Sequence, residues 1–272
     1  MKLADSWIIE ASIKTIRNWP SFLLNWLLAE PVLGYGRFVK KSHMTCDLHE
    51  DVRVKVRNRT NTDRAVIIEV YFKRCYTQEG FEISDTDVVL DIGAHIGVFT
   101  LLASKAASKG RVYSFEPIPE NYELLKENIA LNGSSNVVAV KSALSNETGY
   151  RDIWLSDANT GGHSFYRQKA GDRTVTVEVV TLEEVMKQHR ISHADFMKMD
   201  CEGSEYDILT SCSSDTLSRI DKISMEWHYL DEKRNQLTLV SFLQNNGFEV
   251  NLVQAPVCML YARRNRRHPG LA

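Results

Sequence analysis

The chain has 272 residues, 43% hydrophobic and 25% charged, with a formal net charge of −2. That balance can bury a sizeable core, as one large domain or a domain with an extension, and gives no electrostatic ground for a nucleic-acid partner. The 5 cysteines are odd in number and form no CxxC pair, which points to a reduced chain without a zinc knuckle and to a cytoplasmic location.

Residues 5–29 set Trp7, Ile8, Ile13, Ile16, Phe22, Leu23, Trp26 and Leu27 at helical spacing, with Pro20 dividing them into two short helices. The expected role is an arm packed on the domain or on a second subunit, as in a homodimer. An interfacial membrane anchor is the disfavoured alternative, suited by Trp7, Trp19, Trp26, Lys2, Lys14 and Arg17. FLLNWLLA (22–29) is far shorter than the ~20 apolar residues of a membrane span. EDVRVKVRN (50–58) alternates strictly and predicts a half-buried strand. A helix over 63–76 follows, with Asp63 as its cap. Residues 1–80 therefore read as a helical arm with a β/α extension. The main domain spans 81–264, with a solvated basic tail over 265–272 that continues the run RRNRR.

From Val88 onward strands (88–92, 111–116, 137–141, 195–199, 222–227) alternate with helices (97–108, 119–132, 181–189, 235–246). Thr181 and Glu184 form a capping-box pattern, and FEVNLVQ and VCMLYAR read as a final antiparallel pair. The alternation predicts an α/β, doubly wound, mostly parallel sheet, whose ligands bind beyond the carboxyl ends of the strands.

VVLDIGAHIGVF (88–99) is a strand, a glycine turn and a helix. A pyrophosphate over a helix N-terminus calls for GxGxxG, whereas Gly93-Ala94-His95-Ile96-Gly97 lacks that fingerprint. S-adenosylmethionine, an adenosine joined to an amino acid without phosphates, makes no such demand. Asp91 is placed for its ammonium, directly or through water, and the backbone at Gly93 and Gly97 for its methionine portion and ribose. At the end of the next strand, Glu116 can accept both hydroxyls of a ribose diol.

These segments, with FEPIPENYELLKENIALN, VKSALSNETG, VTLEEVM and DFMKMDCEGSEYDIL in that order, resemble the FkbM-type methyltransferases over about residues 50–260. The resemblance implies a Rossmann-like seven-stranded sheet with an antiparallel last strand, S-adenosylmethionine as cofactor, and O-methylation of sugar or secondary-metabolite hydroxyls. The acceptor would be a small molecule or glycan with a free hydroxyl. The family commonly carries Asn where His95 stands. Pro117 follows Glu116, and Ser142 and Ala143 occupy the place where many related enzymes put an acid for the adenine amine.

Methyl transfer to an alcohol needs the oxygen positioned and its proton removed. Asp200 and Glu202 end the fourth strand of the alternating series; Glu226 and His228 end its neighbour, two residues apart and so on one side. His228 is the expected base, oriented by a carboxylate. Glu202 could instead cap the next helix, and His228 could be structural. No metal is expected, although Asp200, Glu226 and His228 have the ligand chemistry for a divalent ion. Tyr76, His163 and Glu202 are expected on the acceptor side. An NAD-dependent sugar oxidoreductase would explain the fold and Glu116 but not the GxxxG turn. A non-catalytic binding protein would leave the acid cluster without a purpose.

Overall fold

The computed structural model describes residues 6–29, 42–58, 60–156, 159–166, 173–254 and 257–265. Lys2 and the basic tail beyond residue 265 lie outside the described residues. Among the described residues no helix is long and apolar enough to cross a membrane.

Two helices, α1 (Ser6–Thr15) and α2 (Trp19–Ala29), open the chain. The break falls at residues 16–18. Pro20 sits in the first turn of α2, where its missing N–H costs no hydrogen bond. Ala11, Ile16 and Phe22 are buried in the domain's own core, so the arm packs on its own chain.

A hairpin of β1 (His43–Asp47) and β2 (Arg53–Arg57) follows, and Val52, Val54 and Val56 point inward as their alternation predicts. The single helix expected over 63–76 is instead α3 (Thr62–Ile67) running into a π-helix (Ile68–Phe72), which α1 covers. Asp63 does not cap α3. Asn61 holds that position, and the buried Asp63 carboxylate receives the guanidinium of Arg57.

The main sheet is built from β3 (Val88–Ile92), β4 (Arg111–Phe115) and β5 (Val137–Val140). After a three-stranded side sheet of β6 (Ala143–Leu144), β7 (Gly149–Trp154) and β8 (Thr174–Val180), it continues with β9 (Ala194–Met199), β10 (Ile220–Glu226), β11 (Phe248–Val253) and β12 (Met259–Arg264). The order across the seven strands is β11-β12-β10-β9-β3-β4-β5, and β12 is antiparallel to both of its neighbours. This is the doubly wound sheet with an antiparallel last strand that the sequence leads one to expect. Alternate residues serve opposite faces: Val89 and Phe196 pack in one core, and Leu90 and Met197 in the other.

Helices α4 (Val98–Ala106), α5 (Pro119–Leu131), α6 (Leu182–Gln188), α7 (Glu205–Ser211), α8 (Ser214–Ser218) and α9 (Gln236–Asn245) make the connections. The Thr181 hydroxyl caps α6 by accepting from the Glu184 amide, as the capping pattern predicts. Arg263 and Arg264 belong to β12. Arg264 is half-buried, stacked 4.3 Å over Phe248 and donating to the Ile220 carbonyl at 3.1 Å. The winding reverses between β3 and β9, and a cleft opens at the carboxyl ends of these strands.

Candidate active site

The cleft encloses about 430 Å³. Its floor is the turn after β3, where Gly93, His95 and Gly97 take φ of 76°, 52° and 89°. Both glycines answer to packing. A Cβ on Gly93 would lie 1.9 Å from the Asp200 carbonyl oxygen, and one on Gly97 would lie 2.6 Å from Leu125 Cδ1. Glycine thus lets the ends of β3 and β9 and helix α5 close together, and this close packing, rather than ligand contact alone, explains the GxxxG spacing.

Asp91 stands behind the turn and does not line the cleft. It is wholly buried, accepts from Thr100 Oγ1 at 2.6 Å, and pairs with Lys198 Nζ at 3.3 Å. Lys198 also donates to the Gly93 carbonyl at 2.7 Å, so the pair braces the turn from below. Any contact of the Asp91 carboxylate with a cofactor ammonium is therefore indirect.

Glu116 lies in the cleft wall. The His95 and Ile118 amides donate to its two carboxylate oxygens at 2.8 and 2.9 Å. Burial pushes its carboxyl up to about 7 against those hydrogen bonds. Beside it Phe115, Pro117, Ile118, Ala143, Leu144 and Ile153 form an apolar wall. A buried carboxylate next to an apolar slot fits a ribose diol joined to an adenine ring, so the residues present suit S-adenosylmethionine. Ala143 lines this wall, whereas Ser142 is buried behind it with its hydroxyl unpartnered.

The His95 ring turns toward the N-terminal layer, where Arg57 Nη2 lies 2.9 Å from Nε2. A guanidinium can only donate, so Nε2 accepts and the proton sits on Nδ1. Burial holds the imidazole down at about 4, with Asp63 opposing. The backbone of His95 faces the other way, its N–H donating to Glu116.

The same cleft is also lined by Tyr76, His163, Asp200, Glu202 and Glu226. The Tyr76 hydroxyl donates to Asp200 Oδ2 at 2.9 Å. Burial, then repulsion from Asp200, pushes Glu226 up to about 8; burial brings Glu202 up to about 7.

His228 does not fit the role of free base. Its Nδ1 lies 3.2 Å from Glu205 and its Nε2 3.4 Å from Glu202. Burial disfavours its charge, but Glu205, Glu202 and Asp200 outweigh burial and push it up to about 10. Near neutral pH it is an imidazolium with no lone pair to take a proton. Ligand atoms of Asp200, Glu202 and His228 lie within 4.8 Å of one another, a different set from Asp200, Glu226 and His228, whose ligand chemistry the sequence reading noted. The doubly engaged ring explains that cluster as an ion pair, and we assign no metal ligand. Glu202 does not cap α7: Ser204 stands at the N-cap, and the Glu205 side chain accepts from the Cys201 amide.

Three charged residues of the site escape the sequence reading. Glu69 lines the cleft from the π-helix, Lys198 braces the turn, and Glu205 anchors His228. The first two carry a signal in the sequence, each being a lone charge inside an apolar run (VIIEVYF and FMKM).

Known proteins resemble this chain in sequence. The family described as Methyltransferase FkbM domain matches residues 91–250. The 31-O-demethyl-FK506 methyltransferase FkbM of Streptomyces tacrolimicus is 26% identical over 70% of this chain and 83% of its own. The hexuronic acid methyltransferase AglP of Haloferax volcanii is 23% identical over 54% of this chain and 58% of its own. A solved FkbM methyltransferase from Methylobacillus flagellatus KT aligns with a TM-score of 0.49 at 18% identity, over 68% of this chain and 45% of that one. The family match runs from Asp91 in the strand before the glycine turn to Val250 in β11, and so takes in Glu116 and both carboxylate-bearing strand ends. The chain therefore belongs to the FkbM methyltransferase family and is an S-adenosylmethionine-dependent methyltransferase.

Proposed function

We propose that the chain methylates oxygen, on a hydroxyl of a sugar or secondary metabolite. The observation that carries this reading is Glu226. Its carboxyl lines the cleft beside the Tyr76–Asp200 pair, accepts no hydrogen bond among the described residues, and titrates at about 8. A base of that strength, near the operating pH, suits removal of a hydroxyl proton. The cofactor supplies an electrophilic methyl group on a sulfonium. Glu116 and the apolar wall hold its adenosine half, and the braced turn fixes the height of the cleft floor. Tyr76 holds Asp200 in one rotamer, and Asp200 and Glu202 orient the acceptor hydroxyl toward Glu226, which takes the proton. The imidazolium of His228 offsets the charge of Glu202 and Glu205 and keeps both in place. The two relatives, a 31-O-demethyl-FK506 methyltransferase and a hexuronic acid methyltransferase, point to an oxygen or sugar acceptor for those proteins. The test is product analysis: incubation with labelled S-adenosylmethionine and hydroxylated acceptors should give a methyl ether. Methyl esters, N-methyl products or no transfer would overturn the reading.

A further inference from the structure

The acceptor half of the cleft has a one-sided charge. Glu69, Asp200, Glu202 and Glu226 line it, and the one Lys or Arg lining the cleft among the described residues is Lys198. That ammonium is committed to Asp91 and to the Gly93 carbonyl beneath the turn. Arg57, the nearest guanidinium behind the floor, is spent on Asp63, Asn121 and His95. His228 is held between Glu202 and Glu205. Among the described residues, no Lys or Arg lining the cleft is left to receive an anionic acceptor.

Glu69 marks where the surplus falls. It is partly buried on the π-helix, a form that often presents side chains at functional sites, and it faces the cleft across from Asp200. Among the described residues its side chain accepts no hydrogen bond and forms no ion pair. Burial raises its carboxyl against the opposing charge of Lys73, which lines a separate pocket, and the charge of Asp200 adds to the rise. A cation seated there would relieve both effects, whereas a carboxylate or phosphate would add to the repulsion.

Building on the proposed O-methylation, we infer that the acceptor carries a protonated amine close to the hydroxyl that is methylated, with the ammonium against Glu69 and the hydroxyl toward Glu226. Amino sugars and amino alcohols fit this chemistry. Uronic acids and phosphorylated sugars do not, which separates this chain from its hexuronic-acid relative.

The test uses three probes on one ring: glucosamine, glucose and glucuronic acid, titrated into the full chain loaded with S-adenosylhomocysteine. Glucosamine should bind about tenfold more tightly than glucose, the lower end of what one charge-assisted hydrogen bond contributes, and glucuronic acid should bind weakest. Glu69→Gln should bring glucosamine down to the level of glucose with the affinity for S-adenosylhomocysteine unchanged. Equal binding of glucosamine and glucuronic acid, binding of neither, or an undiminished preference in Glu69→Gln overturns the inference. Because binding is read without turnover, failure of the charge order is distinct from failure of the O-methylation reading, which would appear as ordered binding without a methyl ether.

Discussion

Tyr76 and Asp200, 124 residues apart in sequence, meet at 2.9 Å in the lining of the cleft, the phenol donating to the carboxylate. The bond ties the segment after the π-helix to the carboxyl end of β9. It thereby fixes the distance between the N-terminal layer and the main sheet at this edge of the cleft. Tyr76→Phe keeps the ring and its edge contact with Phe99, at 5.5 Å between centroids, and removes only the donor. The expected outcome is a fall in kcat of about tenfold, matching one hydrogen bond to a charged group, with cofactor affinity unchanged. Steady-state kinetics beside calorimetry would check it, and an unchanged kcat would remove this bond from the mechanism.

Glu116 links cofactor affinity to pH. Its carboxyl is pushed up to about 7, so the form that accepts two ribose hydroxyls dominates above that value and is lost below it. Affinity for S-adenosylhomocysteine should therefore fall as the pH drops from 8 to 6. Glu116→Ala should cost ~1.5–3 kcal/mol of binding at pH 8, the range for losing hydrogen bonds to a charged group. Titration calorimetry at the two pH values reads both effects, and a flat profile with an unaffected variant would place the ribose elsewhere.

Glu226 should govern turnover. Only its ionised form accepts a proton, and burial with repulsion from Asp200 raises it to about 8. At saturating cofactor, kcat should climb with pH through about 8 and then level off. Glu226→Gln should lower kcat by the ~10²–10⁴ typical of removing a catalytic base and abolish that pH dependence. A variant retaining most of the wild-type rate would shift the role to Asp200 or to solvent.

His228 is expected to act on stability. Its ordinary value of 6.5 rises to about 10 in the fold, so its contribution is complete below 6.5 and disappears as the pH rises through about 10. His228→Gln leaves the buried Glu205 without its charged partner, which costs ~1–3 kcal/mol. Thermal melts from pH 6 to 10.5 should show a lower Tm for the variant near neutrality and a gap that closes at alkaline pH. A constant gap would mean that the ring acts through packing alone.

Chelation distinguishes the ion-pair reading of Asp200, Glu202 and His228 from a metal centre. An imidazolium held by two carboxylates has no lone pair for a metal, so dialysis against EDTA should leave turnover unchanged. Loss of activity that added divalent metal restores would reassign the three residues as ligands.

What the sequence determined here is local and periodic. The glycine turn after an apolar strand, the acid at the end of the next strand, and the β/α alternation from Val88 come from contiguous residues, and short-range sterics and face periodicity suffice to read them. For the same reason DCEGSE and MEWH could be placed at strand ends. Tertiary structure decided what each charged group faces. His228 reads as a free base in isolation, yet Glu202 and Glu205, from the segment that follows β9, make it an imidazolium. Asp91 reads as a ligand contact until Lys198 and Thr100 claim it. Gly93 reads as clearance for a ligand until the Asp200 carbonyl is seen to need the space. Glu69 sits in what resembles an ordinary amphipathic helix, and the wider π-helical turn and the cleft across from it give its charge a purpose. Protonation states and clearances depend on neighbours tens to hundreds of residues away, and Coulomb and desolvation energies act through those distances in space rather than along the chain.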